Sequence, residues 1–264
     1  MHGFGWIAVI FYAAAETLAI RSLFRPKGLG AAPALVAAGL VAQFADLELV
    51  ARSLGSVPYR TLAGSVALFG WMLGLAYLAL VLRHRERAIG PFLIPFVLAF
   101  SVLGILLPSH APSGPATRGI LFAFHVTLAI FADAAFALSF VLSLLYLIQN
   151  RQIRRGRTGV LFSRLPALEV IGRMNRTSVT IGMAGLAVSV ALGIVWAQRV
   201  WSGFTDAKLV WALLTLFVYG VMLWMDRRGW EGPRVALLSI FGFFLVLFSY
   251  TFVNLYLSQA HVFR

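Results

Sequence analysis

Apolar segments long enough to cross a bilayer recur eight times along this chain, and that recurrence limits the fold more than any motif does. They run from about Gly5 to Ile20, Ala31 to Ala51, Leu62 to Leu82, Phe92 to Leu107, Ile120 to Ile148, Val179 to Ala197, Leu209 to Met225 and Val235 to Leu257. A hydrocarbon core of about 30 Å takes roughly 20 helical residues to span. Backbone N–H and C=O groups in lipid must bond within the protein, and strand-like alternation is absent, so helices are the form these segments take. An apolar share of 61% and a mean hydropathy of +0.89 agree, since soluble domains hold only about 45–50%. The expected fold class is an all-α, polytopic membrane helix bundle with eight transmembrane helices, one integral membrane domain over residues 1–264. The first run lacks a positively charged leader and a small-residue cleavage end, so it reads as a retained span and not a signal peptide.

The net charge of +13 does not point to nucleic acid, because the basic residues are spread over the connecting loops instead of forming one patch. Sixteen of the 22 Lys and Arg residues follow the first, third, fifth and seventh runs, from Arg21 and Arg83 to Arg176 and Arg234. The remaining six are Arg52, Arg60, Arg118, Arg199, Lys208 and Arg264. By the positive-inside rule the sixteen are cytoplasmic, which places both termini on the extracytoplasmic side. The basic connector from about residue 150 to 176 then reads as an orienting loop facing lipid headgroups, with "SRLPALEVIGRMN" as a short amphipathic helix on the inner surface. The chain has no cysteine, which excludes disulfides, thiolate metal sites and thiol chemistry on this chain.

The last apolar run ends in "NLYLSQAHVF". Twenty-seven residues separate Arg234 from His261, about 40 Å of helix and hence roughly a full bilayer with its headgroups. His125 lies 26 residues before Arg151, which gives it nearly the same outer height. Two imidazoles at matched depth are candidates to ligate one metal centre. Between the sixth and seventh runs, "VWAQRVWSGFTDAKLVWALL" gathers Trp196, Trp201, Phe204 and Trp211 around Arg199, Asp206 and Lys208. One reading is an interfacial aromatic belt with snorkelling cations. The other is a flat aromatic shelf for a planar, carboxylate-bearing ligand. Haem is such a ligand: indoles stack on its ring, cations such as Arg118, Arg199 or Lys208 pair with its propionates, and neutral imidazoles from His125 and His261 take its iron.

These stretches resemble the CcsA/ResC-type cytochrome c assembly proteins and their shorter HemX-like relatives. The loop is similar to the family's tryptophan-rich "WWD" run, W-A-x-x-x-W-G-x-x-W-x-W-D-P-K-E-x-W-A-L, through Trp196, Ala197, Trp201, Asp206, Lys208, Trp211, Ala212 and Leu213. It is a shortened form: two residues are missing before Asp206, the middle tryptophans are absent, and Ala207 and Leu209 replace Pro and Glu. "RGWEGPRVALLSIFGFFLVLFSYTFVNLYLSQAHVF" and "FHVTLAIFADAAFALSFVLSLLYLIQ" are similar to the family's two helices that carry external histidines. "VPYRTLAGSVALFGW" matches P-x-x-N-x-x-E-S-x-x-x-x-x-W at Pro58, Ser65 and Trp71, with Thr61 and Gly64 in place of Asn and Glu. The resemblance implies a multi-pass protein of the bacterial cytoplasmic membrane. It would hold b-type, non-covalent haem at the outer face between His125 and His261 and work with a CcsB/ResB-like membrane subunit and an apocytochrome c. The intramembrane histidine pair of larger family members has no counterpart; Gln43 and Asp46 stand in that region.

Two other functions fit the sequence: a non-catalytic HemX-like regulator or accessory subunit of a tetrapyrrole or respiratory enzyme, and a small proton-coupled transporter. The latter would use Glu16 and Asp133, since acidic residues within spans are costly and suggest function. Asp133 is also a candidate to position the histidine or relay protons without touching it, and Glu16 to hydrogen-bond a Ser, Thr or Tyr across the bundle. Asp46 and Glu48, nearer the outer end, are expected to face water. His110 reads as a solvated loop residue, His84 as lying at the wrong face, and His2 as part of a frayed terminus. Gly182, Gly185 and Gly193 are expected to serve close helix packing. No Walker loop, HExxH or G-x-S-x-G motif occurs.

Overall fold

The computed structural model describes residues 2–24, 31–55, 57–108, 119–156, 159–200 and 207–249. These residues form nine α-helices and one short 3-10 turn. The helices are α1 (Gly3–Phe24), α2 (Ala32–Leu54), α3 (Leu62–His84), α4 (Gly90–Leu106), α5 (Ile120–Arg154), α6 (Val160–Arg164), α7 (Leu168–Val200), α8 (Ala207–Arg227) and α9 (Gly232–Phe248). Six of them, α1, α2, α3, α5, α7 and α8, are long and apolar enough to cross a membrane, while α4 and α9 are apolar helices of 17 residues each. The chain is thus a multi-pass helical membrane protein. Each apolar run of the sequence corresponds to one of these eight helices, and the end of the last run lies outside the described residues.

Local chemistry sets several helix boundaries. A proline within the first two positions opens α2, α4 and α9, where its fixed φ suits a first turn whose N–H groups lack partners in any case. Gly55, in the left-handed region at φ 55°, closes α2 and donates back to the Ala51 and Arg52 carbonyls. Thr61 caps α3 by accepting from the Gly64 N–H at 2.9 Å. A Cβ on Gly64 would meet the Pro58 carbonyl oxygen at 2.0 Å, so this turn excludes the glutamate that the resembling motif carries there.

The helices pack as two quartets. In the first, α1 packs on α2 and α4, and α3 on α2 and α4; in the second, α7 packs on α5 and α8, and α9 on α5 and α8. Contact between α3 and α5 joins the two. Small residues allow close approach: Gly39 lies against the Tyr12 ring, Gly104 against Ala67, Gly182 against Phe136 and Gly242 against Tyr219. Gly182 and Gly185, the latter beside Phe131, serve the helix packing expected of them.

Buried polar groups bond across each quartet. In the first, the Gln43 carbonyl accepts from Tyr12 at 2.8 Å and Ser101 at 3.1 Å, its amide donates to the Ala67 carbonyl at 3.0 Å, and the Trp71 indole donates to the Leu40 carbonyl at 2.8 Å. In the second, Ser139 bonds both Asn175 and Ser239, and Tyr219 stacks on Phe136 at 4.1 Å.

Three expectations are corrected. Asp46 does not face water: it is 7% exposed and accepts from the Gly5 N–H at 2.9 Å, which ties the start of α1 to α2. His2 is not frayed, since its Nδ1 lies 2.9 Å from the Asp46 carboxylate. "LEVIGRMN" is no separate surface helix but the first two turns of α7, with Ile171, Met174 and Asn175 buried, as is Ser178 in the next turn. Glu48 is exposed as expected and pairs with Arg52 at 2.8 Å.

Gly39 and Gly172 separate close packing from open space, because a Cβ at Gly39 would lie 2.5 Å from the Tyr12 ring and one at Gly172 would meet nothing within 4 Å. Gly39→Ala is expected to destabilise the protein by about 1–3 kcal/mol through overpacking. Gly172→Ala is expected to stabilise it by up to about 1 kcal/mol through helix propensity. Unfolding of both variants in detergent checks the pair.

Candidate functional site at one end of the second quartet

His125 stands in the second turn of α5, half-buried, with its ring against α7. Its Nδ1 lies 2.7 Å from the Ser189 carbonyl oxygen and 3.1 Å from the Ser189 hydroxyl, which itself donates to the His125 carbonyl at 2.8 Å. A Cβ on Gly193 would lie 2.7 Å from the imidazole Cε1, so this glycine makes room for the ring. Its role therefore extends beyond the helix packing expected of it.

Around the histidine lies an aromatic corner. Phe122, one turn earlier on α5, is 6.1 Å from the His125 ring centroid and 4.7 Å from that of Trp196, which is 7% exposed near the end of α7. Tyr59, just before α3, meets Phe122 edge-on at 6.1 Å. On the neighbouring pair of helices Trp211 of α8 contacts Phe248 of α9 at 4.8 Å. Lys208 sits half-buried almost one turn before Trp211. The starts of α5 and α8 and the ends of α7 and α9 thus bring His125, Trp196, Lys208 and Trp211 to the same end of the quartet. His261, Trp201, Phe204, Asp206 and Arg118 lie outside the described residues, as do His110 and the side chain of Arg199.

Most of the basic residues of this quartet mark the opposite end. There His84 bonds Thr177 at 3.2 Å, Arg176 pairs with Asp226, Gln149 donates to the Pro166 carbonyl at 3.0 Å, and Arg228 and Arg234 lie over Trp224 and Trp230. His84 is therefore away from the corner, as expected.

The acidic candidates are placed elsewhere. Asp133 is eight residues, about 12 Å of helix, further along α5 than His125, and the Nδ1 partner is Ser189. The expected hydrogen bond of Glu16 is not made by its Oε2, which is buried without a partner among the described residues. The Tyr77 hydroxyl is likewise buried without one. It lies beside Gly90, which also approaches Ala19, one turn beyond Glu16.

Ser189, Phe122 and Tyr59 were not expected from the sequence. The one available signal was Ser189 and Gly193 at the i, i+4 spacing of one helix face, the same signal that ordinary small-residue packing gives. The residues present fit haem: an imidazole whose Nδ1 is already bonded to a carbonyl, a phenyl ring beside it with an indole packed on that ring, and a lysine at the same end of the quartet. Among the described residues no group of three His, Cys, Asp or Glu side chains is placed to hold a metal ion.

The sequence profile of the cytochrome c assembly protein family matches residues 59–261. The chain is 27% identical to the cytochrome c biogenesis protein CcsA of Parasynechococcus marenigrum, over 96% of this chain and 92% of that protein. It is 30% identical to Protein HemX of Brevibacillus brevis, over 66% of this chain and 65% of that protein. With the CcsA of Chlamydomonas reinhardtii it shares 28% identity over 78% of its own length and 61% of the other's. A match through all of α3 to α9, including the aromatic corner, makes this chain a member of the cytochrome c assembly protein family.

Proposed function

We propose that the protein is a haem-handling component of c-type cytochrome biogenesis that binds haem at the outer face of the bacterial cytoplasmic membrane. In this reading all eight apolar helices cross the membrane as one domain with both termini outside. His125 and His261 ligate the iron; Trp196, Trp201, Phe204 and Trp211 flank the ring; Arg118, Arg199 and Lys208 pair with the propionates; and Asp206 orders the loop. The observation that carries it is the position of His125 beside Phe122, which in turn packs on Trp196, at the end of the quartet away from most of the basic residues.

Haem bound there supplies vinyl groups for thioether formation with a partner's thiols, since this chain has none. The residues of the chain hold and orient: the imidazole is fixed against α7, the aromatic faces exclude water from one side, and the rim cations offset carboxylate charge. The expected partners are a CcsB/ResB-like membrane subunit and an apocytochrome c.

A second reading, a HemX-like regulator or accessory subunit of a tetrapyrrole or respiratory enzyme, is favoured by the similarity to Protein HemX and by the shortened tryptophan loop. A strain lacking the gene discriminates: loss of holocytochrome c supports assembly, whereas normal cytochrome c with altered levels of haem-synthesis enzymes supports regulation.

Two further results are expected. The purified protein shows a low-spin haem spectrum that is lost in both His125→Ala and His261→Ala; a folded but colourless wild-type protein removes the haem reading and favours transport. For topology, the absence of cysteine allows single reporters. In right-side-out vesicles Arg52→Cys reacts with a membrane-impermeant maleimide and Arg155→Cys does not; the reverse pattern inverts the proposed orientation.

A further inference from the structure

We infer that Ser189 and Gly193 of α7 are positioning residues that hold His125 in its Nδ1–H form, so that Nε2 carries the lone pair a metal ion needs. The inference rests on the proposed ligand role of His125 and adds to it the chain's own means of preparing the ligand.

A carbonyl oxygen can only accept a hydrogen bond. With Nδ1 at 2.7 Å from the Ser189 carbonyl, the proton must be on Nδ1; the other neutral tautomer would set two lone pairs against each other. The Ser189 hydroxyl closes the arrangement from the same residue. It donates to the His125 carbonyl at 2.8 Å while its oxygen lies 3.1 Å from Nδ1, so ring and main chain of one histidine are both tied to one turn of α7.

Gly193 makes this approach possible. The ring occupies the space of its missing side chain, with Cε1 at 2.7 Å and Nδ1 at 2.8 Å from where a Cβ would be. Any side chain there displaces the imidazole from the carbonyl. Ser189, Gly193 and Trp196 follow at i, i+4 and i+7 and so share one face of α7. One stripe of one helix therefore sets the tautomer of the ligand and carries the indole that packs on Phe122.

Metal-ligating histidines commonly donate their second ring N–H to a carboxylate or a main-chain carbonyl, which fixes the tautomer and strengthens the ligand. Here the carbonyl of Ser189 takes that part and Asp133 does not.

The test uses the full-length protein without haem in nanodiscs, with 15N-labelled histidine, at about pH 8, above the ordinary imidazole value of about 6.5. His125→Gln identifies the His125 resonances by their loss. The expected result is a protonated Nδ1 and an unprotonated Nε2 at His125 in the wild type, with the Nε2–H form rising in Gly193→Ala. In a separate absorbance titration with hemin, Gly193→Ala is expected to weaken binding by about 10–100-fold. Ser189→Ala, which keeps the carbonyl and loses the hydroxyl, moves both readouts the same way by less, and decides the matter if Gly193→Ala does not fold. An Nε2–H tautomer in the wild type overturns the inference, as do variants that fold and leave the tautomer unchanged. A wild type with the Nδ1–H form that binds no hemin keeps the tautomer assignment and overturns the ligand role of His125 on which the proposed function stands.

Discussion

Nothing in a hydrocarbon core offers a hydrogen bond, so every polar group that enters it must find its partner in the protein. The two quartets meet this requirement with different chemistry. In the first, the Gln43 amide is bonded on both sides, and the buried Asp46 carboxylate meets the N-terminal turn of α1 through the Gly5 N–H, where the helix dipole also favours a negative charge. The second uses neutral groups, Ser139 with Asn175 and Ser239. Single hydrogen bonds between membrane helices average only about 0.6 kcal/mol. Close contact made by Gly39, Gly182 and Gly242 against aromatic rings thus matters as much as any one of them.

The same requirement shapes the site. An imidazole in a span needs a partner for each nitrogen, and α7 supplies the Nδ1 partner from its own main chain without adding a buried charge. A carboxylate in that place would set another ionisable group directly beside the imidazole and bring a larger desolvation cost. The arrangement depends on helix position instead, which the extensive packing of α5 on α7 secures.

Much of this was legible in the sequence, and the failures have identifiable causes. Hydropathy located the eight long apolar helices, though not the short α6, because lipid imposes length and apolarity together. It misjudged the start of α7: Ile171, Met174, Asn175 and Ser178 do form one face at helical spacing, but periodicity shows that a face is buried without showing whether lipid or another helix covers it. Asp46 was misread because its partners, His2 and Gly5, are 44 and 41 residues away, and no local pattern announces such a pairing. His125 was legible as a conspicuous imidazole at a computable depth. Ser189 was not, since the group it offers is a carbonyl that every residue possesses.

The contact of Tyr59 with Phe122 gives the first quartet a part in the surroundings of His125. The segment before α3 acts as an abutment for the phenyl ring that touches both His125 and Trp196. Damage to the turn around Pro58 and Gly64, or to the helix it leads into, therefore reaches the histidine by mechanical slackening, and would imitate in its phenotype a substitution of His125 itself.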